Sequence, residues 1–308
     1  MATHHLDPTA ETTTDVFDRS HDPRLTIAPG DTVVVNSLDA SGYLARQTFP
    51  GEKQPRLFAE PRGHALTGPI AVEGAEVGDM LSLELVDLTP GAWGWTAAGG
   101  VETAVTSRLG VAEADQSWLL WQLDSDTATE SRGFSRATAP FLGVMGLAPA
   151  EPGEHSTIPP RAAGGGNIDC RELVAGSTLF LPVAVPGALL YLGDGHAAQG
   201  DGEVGGTAIE CPMRTTAVID IAHGRPLQTI HAETPAGRIT FGFDADLNVA
   251  TGDALDAMIV WMQSLYGLDK ATTLALASTV VDLRVTQIAN RTWGVHAVLP
   301  SGILRPPA

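Results

Sequence analysis

Gly78-Asp79-Met80-Leu81-Ser82-Leu83-Glu84-Leu85-Val86-Asp87 sets leucines at 81, 83 and 85 against polar residues at 82, 84 and 87. A period of two is that of a strand with one face on a core and the other in water, and the Gly-Asp pair ahead of it is a turn signal. Working outward, Arg24 to Asn36 reads as extended chain around Pro29-Gly30, and Gly68 to Val72 as a short strand. Similar runs recur at Ser117 to Leu123, Thr178 to Val185, Thr215 to Ala222, Leu227 to Ala232 and Arg238 to Phe243, separated by turn residues. Trp93 and Trp95 alternate in a strand-like segment and read as core.

Only the last third has helical periodicity. The pattern predicts a helix from Asp253 through Gln263, closed by Gly267 as a C-terminal cap, and a second helix N-capped by Asp269. Asp282 to Gln287 then returns to an extended pattern. The expected fold is a β-rich α+β protein, with sandwich- or barrel-like sheets and a C-terminal helical pair. Residues 1–23 are polar and are expected to be a flexible segment, with His4 and His5 inside it. Residues 24–308 form the folded unit, in which Pro and Gly near 150–160 mark a boundary between two closely packed β-rich halves.

With 36 Asp and Glu against 18 Lys and Arg, the formal net charge is −18. Such a chain is repelled by phosphate backbones and anionic membranes, so neither nucleic acid nor membrane is an expected partner. No secretory h-region and no long apolar run is present, and the two cysteines, Cys170 and Cys211, make no disulfide framework. A cytoplasmic location is the expectation.

The chemistry is concentrated in Leu192-Gly193-Asp194-Gly195-His196-Ala197-Ala198-Gln199-Gly200-Asp201-Gly202-Glu203-Val204-Gly205-Gly206-Thr207-Ala208-Ile209-Glu210. In extended chain, Asp194 and His196 share one face, as do Asp201 and Glu203. An imidazole among carboxylates can bind a divalent cation, the histidine favouring zinc and the oxygens calcium or magnesium. Upstream, Asn167 and Asp169 follow a glycine run with the same spacing. Asp-Gly pairs are also ordinary hairpin turns, so spacing alone leaves both readings open.

These residues closely resemble the signature of the acetamidase/formamidase family. Gly63-His64 with Thr67-Gly68-Pro69-Ile70, Pro140 to Gly146, Gly165 to Asp169, Asp282 to Gln287 and Gly294-Val295-His296 agree in order with it. The resemblance implies a β-rich amidase, a bound divalent metal, a homo-oligomer and a small amide such as formamide or acetamide as substrate. On that basis Asn167, Asp169, Asp194, His196 and Asp201 are the metal-ligand candidates, with zinc expected and calcium the alternative. Glu203 and Glu210 are the candidates for proton transfer, and His64 and Gln199 for orienting the amide. Two rival readings stand beside this one: a cysteine nucleophile at Cys170 or Cys211, and a non-catalytic calcium-stabilised sandwich or amide-binding protein.

Overall fold

The computed structural model describes residues 1–304. Two large sheets face each other. The first has nine strands and is built around Met80–Pro90, which pairs antiparallel with Met213–Ala222 on one side and Thr178–Pro182 on the other. Leu81, Leu83, Leu85 and Leu88 are buried. The three-residue step from Leu85 to Leu88 follows from a bulge at Val86, where the register against Thr216 and Ala217 shifts by one and the alternation changes phase.

The second sheet has eleven strands, with Leu190–His196 near its middle, between Phe141–Leu147 and Leu66–Val72. Every residue of Leu190–His196 is buried, which explains its unbroken apolar start. Leucines of the first sheet share one core with Ile70, Leu142, Met145, Leu190 and Leu192 of the second. Each buried leucine in it contributes roughly 1.5–3 kcal/mol of transfer free energy. The architecture is therefore a sandwich, and neither sheet closes into a barrel.

The helical pair lies against the end of the first sheet. Leu247–Tyr266 packs Ala250, Ala254, Met258 and Met262 onto Val295, Ala297 and Leu299, and Lys270–Ala277 follows. Gly267 ends the first helix in the left-handed conformation, and the Asp269 carboxylate caps the second, both as predicted. The first helix starts earlier than its periodicity suggests. Asp246, not Asp253, is its N-cap, and Thr251-Gly252 is helical because that turn is pressed on Gly242, where a Cβ would lie 2.0 Å from the Ala250 carbonyl oxygen. Among the described residues, no helix is long and apolar enough to cross a membrane.

Two expectations about organisation do not hold. The segment 1–23 is woven into the fold: Thr3–Leu6 pairs parallel with Asp31–Ser37, and Thr13–Thr14 pairs with Leu66–Val72. His4 Nε2 lies 2.8 Å from Asp31 Oδ2, and Arg62 bonds the buried Asp15 carboxylate at 2.7 Å. Nor do residues 150–160 divide the chain into halves. Both sheets draw strands from before and after that stretch, and His155–Ser156 pairs with Val16–Phe17.

One buried histidine gives the fold a pH dependence. His231 stacks on Phe180 at 4.7 Å, Arg225 Nε donates to its Nε2 at 3.2 Å, and Nδ1 is 2.7 Å from the Thr229 carbonyl oxygen. Burial pulls its pKa down to about 4, and the Arg225 charge acts in the same direction. The folded protein thus binds this proton less readily than the unfolded chain. The contribution is complete above about pH 6.5 and is lost progressively as pH falls toward 4, by on the order of 3 kcal/mol. Denaturant melts across pH 7 to 4 are expected to show a shallower fall in stability for His231→Asn than for the parent. Parallel slopes would contradict this assignment.

Candidate metal centre

The site grows from one strand and its neighbours. Along Leu190–His196, Asp194 takes the left-handed conformation at φ 59°, and its carboxylate lies beside the His196 ring. His196 stands directly across from Glu210 on Glu210–Cys211, so imidazole and carboxylate meet as a cross-strand pair. Opposite Asp194, on Phe141–Leu147, comes Gly143. A Cβ there would lie 2.3 Å from Asp194 Oδ2 and 2.7 Å from Asp169 Oδ1. The Gly143 carbonyl accepts from the Ile168 and Asp169 N–H groups at 2.9 and 3.3 Å, which brings Asp169 beside Asp194. Glu203 arrives from the Gly200–Gly206 loop at φ 43°.

The strain is concentrated here. Among the described residues, five non-glycine positions have positive φ: Asp169, Ala188, Leu189, Asp194 and Glu203. Three of these five are site carboxylates, and left-handed backbone costs such residues of order 1–3 kcal/mol each.

Asp194, His196 and Glu210 present donor atoms within 4.8 Å of one another, as do Asp169, His196 and Glu203. His196 Nε2 is 3.4 Å from Asp194 Oδ1 and 3.2 Å from Glu210 Oε2, yet neither approach is aligned as a hydrogen bond. Both ring nitrogens of His196, both oxygens of Asp169, Glu210 Oε2 and Asn167 Oδ1 are buried without a partner. Buried donors and acceptors are ordinarily satisfied, so this many orphans in one cluster is the pattern of a ligand set. The other Glu210 oxygen is fixed by the Ala208 N–H at 2.8 Å. The residues present therefore fit a divalent cation.

Electrostatics agree. Burial pushes the Asp169 carboxyl up, with Asp194 adding to it, and burial and then Asp169 do the same to Glu203. Glu210 also rises through burial, against the pull of His196. At Asp194 burial is outweighed by His64 and His196, which hold it below the usual carboxylate range. Burial opposes the protonation of His196, but Glu210 and Asp194 outweigh it and raise its affinity for a proton. Four carboxylates around one imidazole crowd negative charge that a cation would balance.

A cavity of about 330 Å³ opens onto these groups, lined by His64, Trp95, Ile158, Asn167, Asp169, Asp194, Glu203 and Glu210 among others. His64 lies at its wall, with Nε2 3.9 Å from Asp194 Oδ2 and Nδ1 3.1 Å from Thr157 Oγ1. Asn167 Nδ2 donates to the Ile158 carbonyl at 2.9 Å, which leaves Oδ1 free toward the cavity.

A family profile describing acetamidases and formamidases matches residues 4–153 and 150–236. The chain belongs to the acetamidase/formamidase family. It is 30% identical over 230 residues to a formamidase of Methylophilus methylotrophus, covering 58% of this chain and 56% of that one. An acetamidase of Mycolicibacterium smegmatis is 30% identical over 200 residues, covering 46% and 49%. The chain thus spans about half to two thirds of the length of the curated relatives it matches. The crystal structure of an acetamidase from Bacillus halodurans superposes with a TM-score of 0.85 at 28% identity, covering 96% of this chain and 97% of that one.

Within this acetamidase/formamidase fold, the residues singled out from the sequence do not all converge. Asp169, Asp194, His196, Glu203 and Glu210 do; Asn167 and His64 line the same cavity. Asp201 does not join them. Its carboxylate is engaged by Arg284, with Nε at 2.8 Å and Nη2 at 2.6 Å. Gln199 is buried behind the site, where Nε2 donates to the Asp169 carbonyl at 2.8 Å. It supports Asp169 and does not line the cavity. The thiols of Cys170 and Cys211 are fully buried and pushed up by burial, so they are inert neighbours and not poised nucleophiles.

Two contributors escaped the sequence reading. Gly143 had no chemical signature, since its role is to leave room. Asp39 lies between the stretches that the sequence singled out. It is fully buried, accepts from the Ser41 N–H at 2.8 Å and the Tyr43 N–H at 3.2 Å, and burial with nearby Glu210 raises its pKa to about 7. Replacing Gly143 by alanine is expected to drive the Asp169 and Asp194 carboxylates apart at a cost of about 1–3 kcal/mol. Thermal melts of Gly143→Ala check this, and an unchanged melting temperature would contradict it.

Proposed function

We propose that this protein hydrolyses a short aliphatic amide, of the formamide or acetamide kind, to a carboxylate and ammonia, using zinc held by Asp194, His196 and Glu210. The observation that carries the reading is the convergence of five buried ionisable side chains, several with orphaned donor atoms and four of them lining an open cavity. Membership of a family that includes a formamidase and an acetamidase supports the choice of substrate. A bound zinc ion supplies Lewis acidity toward the amide carbonyl and acidifies a water molecule.

The chain's own groups supply the rest. Asp169 and Glu203 stand close together beside His196, and burial with neighbouring carboxylates pushes both carboxyls up, which suits the pair to taking and giving a proton. Glu203 takes the proton of the attacking water and returns it to the departing nitrogen, as a general base and then a general acid. Asn167 Oδ1, with its own amide tied to Ile158, accepts an N–H of the substrate. His64 orients the amide from the cavity wall. These roles differ from the sequence expectation in three places: Glu210 moves to the ligand set, as the carboxylate paired across the strand from His196, Asp169 moves to the proton pair, and Asn167 leaves the ligand set for the substrate.

Ammonia release from formamide, acetamide and propionamide, before and after chelation, tests the proposal. Turnover is expected to vanish with chelator and to return with zinc but not calcium. Turnover indifferent to chelation would overturn the metal mechanism.

Glu203→Gln separates function from stability. Its turnover is expected to fall about 10²- to 10⁴-fold. The folded pKa of Glu203 lies above its ordinary value of 4.5, so its ionisation opposes folding once the pH passes that value. In metal-free protein at neutral pH the amide is therefore expected to be more stable than the acid. A less stable metal-free variant would contradict that reading of the buried carboxylate.

A further inference from the structure

Behind the site lies a second set of polar side chains that the chemistry above does not use. Glu172 is buried among Arg284, His296 and Cys170. Arg284 Nη1 donates to Glu172 Oε1, while its Nε and Nη2 donate to Asp201 Oδ2 at 2.8 and 2.6 Å. His296 Nε2 lies 3.4 Å from Glu172 Oε2, and its Nδ1 meets Thr286 Oγ1 at 2.8 Å. The Cys170 thiol donates to Glu172 Oε2 at 3.3 Å. One guanidinium thus joins a residue two positions before Glu203 to one three positions after Asp169.

The backbone makes the same connection. The Gly202 N–H donates to the Thr286 carbonyl at 3.0 Å, and the Ile288 N–H to the Gly202 carbonyl at 2.8 Å. Gly202 and Gln287 form an isolated parallel bridge beside Glu203, which is itself held at φ 43°. A strained conformation persists only where its surroundings over-determine it. Here they come from Asp282–Gln287 and Trp293–Pro300, strands beyond the residues matched by the family profile.

We propose that Arg284 is a positioning residue: by gripping Asp201 and Glu172 together it holds Glu203 at its working distance from Asp169. A bidentate-capable guanidinium suits this task because its fork fixes direction as well as charge, which a lysine ammonium does not. The catalytic consequence rests on the amidase reading above, whereas the holding of the loop does not.

The test compares Arg284→Met, Arg284→Lys and a control, Arg225→Met. The control also removes a guanidinium ion pair, to Glu233 at 3.0 Å, but far from the site. Hydrogen exchange by mass spectrometry reads the loop directly. In Arg284→Met, peptides covering residues 199–206 are expected to exchange about tenfold faster or more, with those covering 231–244 unchanged. Zinc affinity by chelator competition and kcat are expected to drop about 10- to 100-fold, with KM changed less than about threefold. Arg284→Lys recovers part of the loss, and Arg225→Met loses none of it at the site. If Arg284→Met fails to fold, Asp201→Asn weakens the same contact and is read in the same way.

Unchanged exchange in 199–206 overturns the proposal, and so does an equal effect of Arg225→Met on that loop. A parent protein that neither binds zinc nor releases ammonia would sink the amidase reading instead, and the exchange measurement would still decide the role of Arg284.

Discussion

The meeting of His196 with Asp194 on one side and Glu210 on the other, inside a sheet and away from water, is the constraint on which the rest of this structure depends. A cross-strand pair sets the imidazole against Glu210, and Asp194, itself left-handed, approaches the same nitrogen. Everything nearby is arranged to make room for that meeting. Gly143 has no side chain because the carboxylates occupy its place, and the loop that brings Glu203 is rich in glycine so that it can close over the site.

Such a centre is costly to fold without a counter-charge. Burial raises the pKa of three of the four carboxylates, and several of their oxygens find no donor. The two sheets offset that cost through an apolar core running along both inner faces, and the helical pair seals one end. Residues remote in sequence then hold the parts in register: Thr157 against His64, Gln199 against the Asp169 backbone, Arg284 against Asp201. The family's strand order is thus a frame for a polar centre that the frame itself does not need.

Much of the frame was legible in the sequence, because half-buried strands write their burial as alternation. Met80 to Asp87 could be read directly, and glycine and aspartate placed both caps around Gly267 and Asp269. The helix start was misread because Gly252 looks like a terminator, while close packing against Gly242 keeps it helical. Trp293–Pro300 passed unnoticed, being buried along nearly its whole length and so lacking alternation. The N-terminal segment looked too polar to fold, yet Asp15 and Asp31 are polar because they anchor it. At the site, the Gly-Asp motif pointed to the right stretch. Sequence spacing could not tell Asp201, turned to Arg284, from Glu203 two residues later, since positive φ at both Gly202 and Glu203 breaks the extended alternation.

The most direct test of the central claim is anomalous scattering at the zinc edge from crystals of the protein supplied with zinc. The account predicts a peak about 2.0–2.2 Å from donor atoms of Asp194, His196 and Glu210. A peak at Cys170, Glu172 and His296 instead, or crystals in which water molecules alone satisfy the orphaned oxygens, would contradict it.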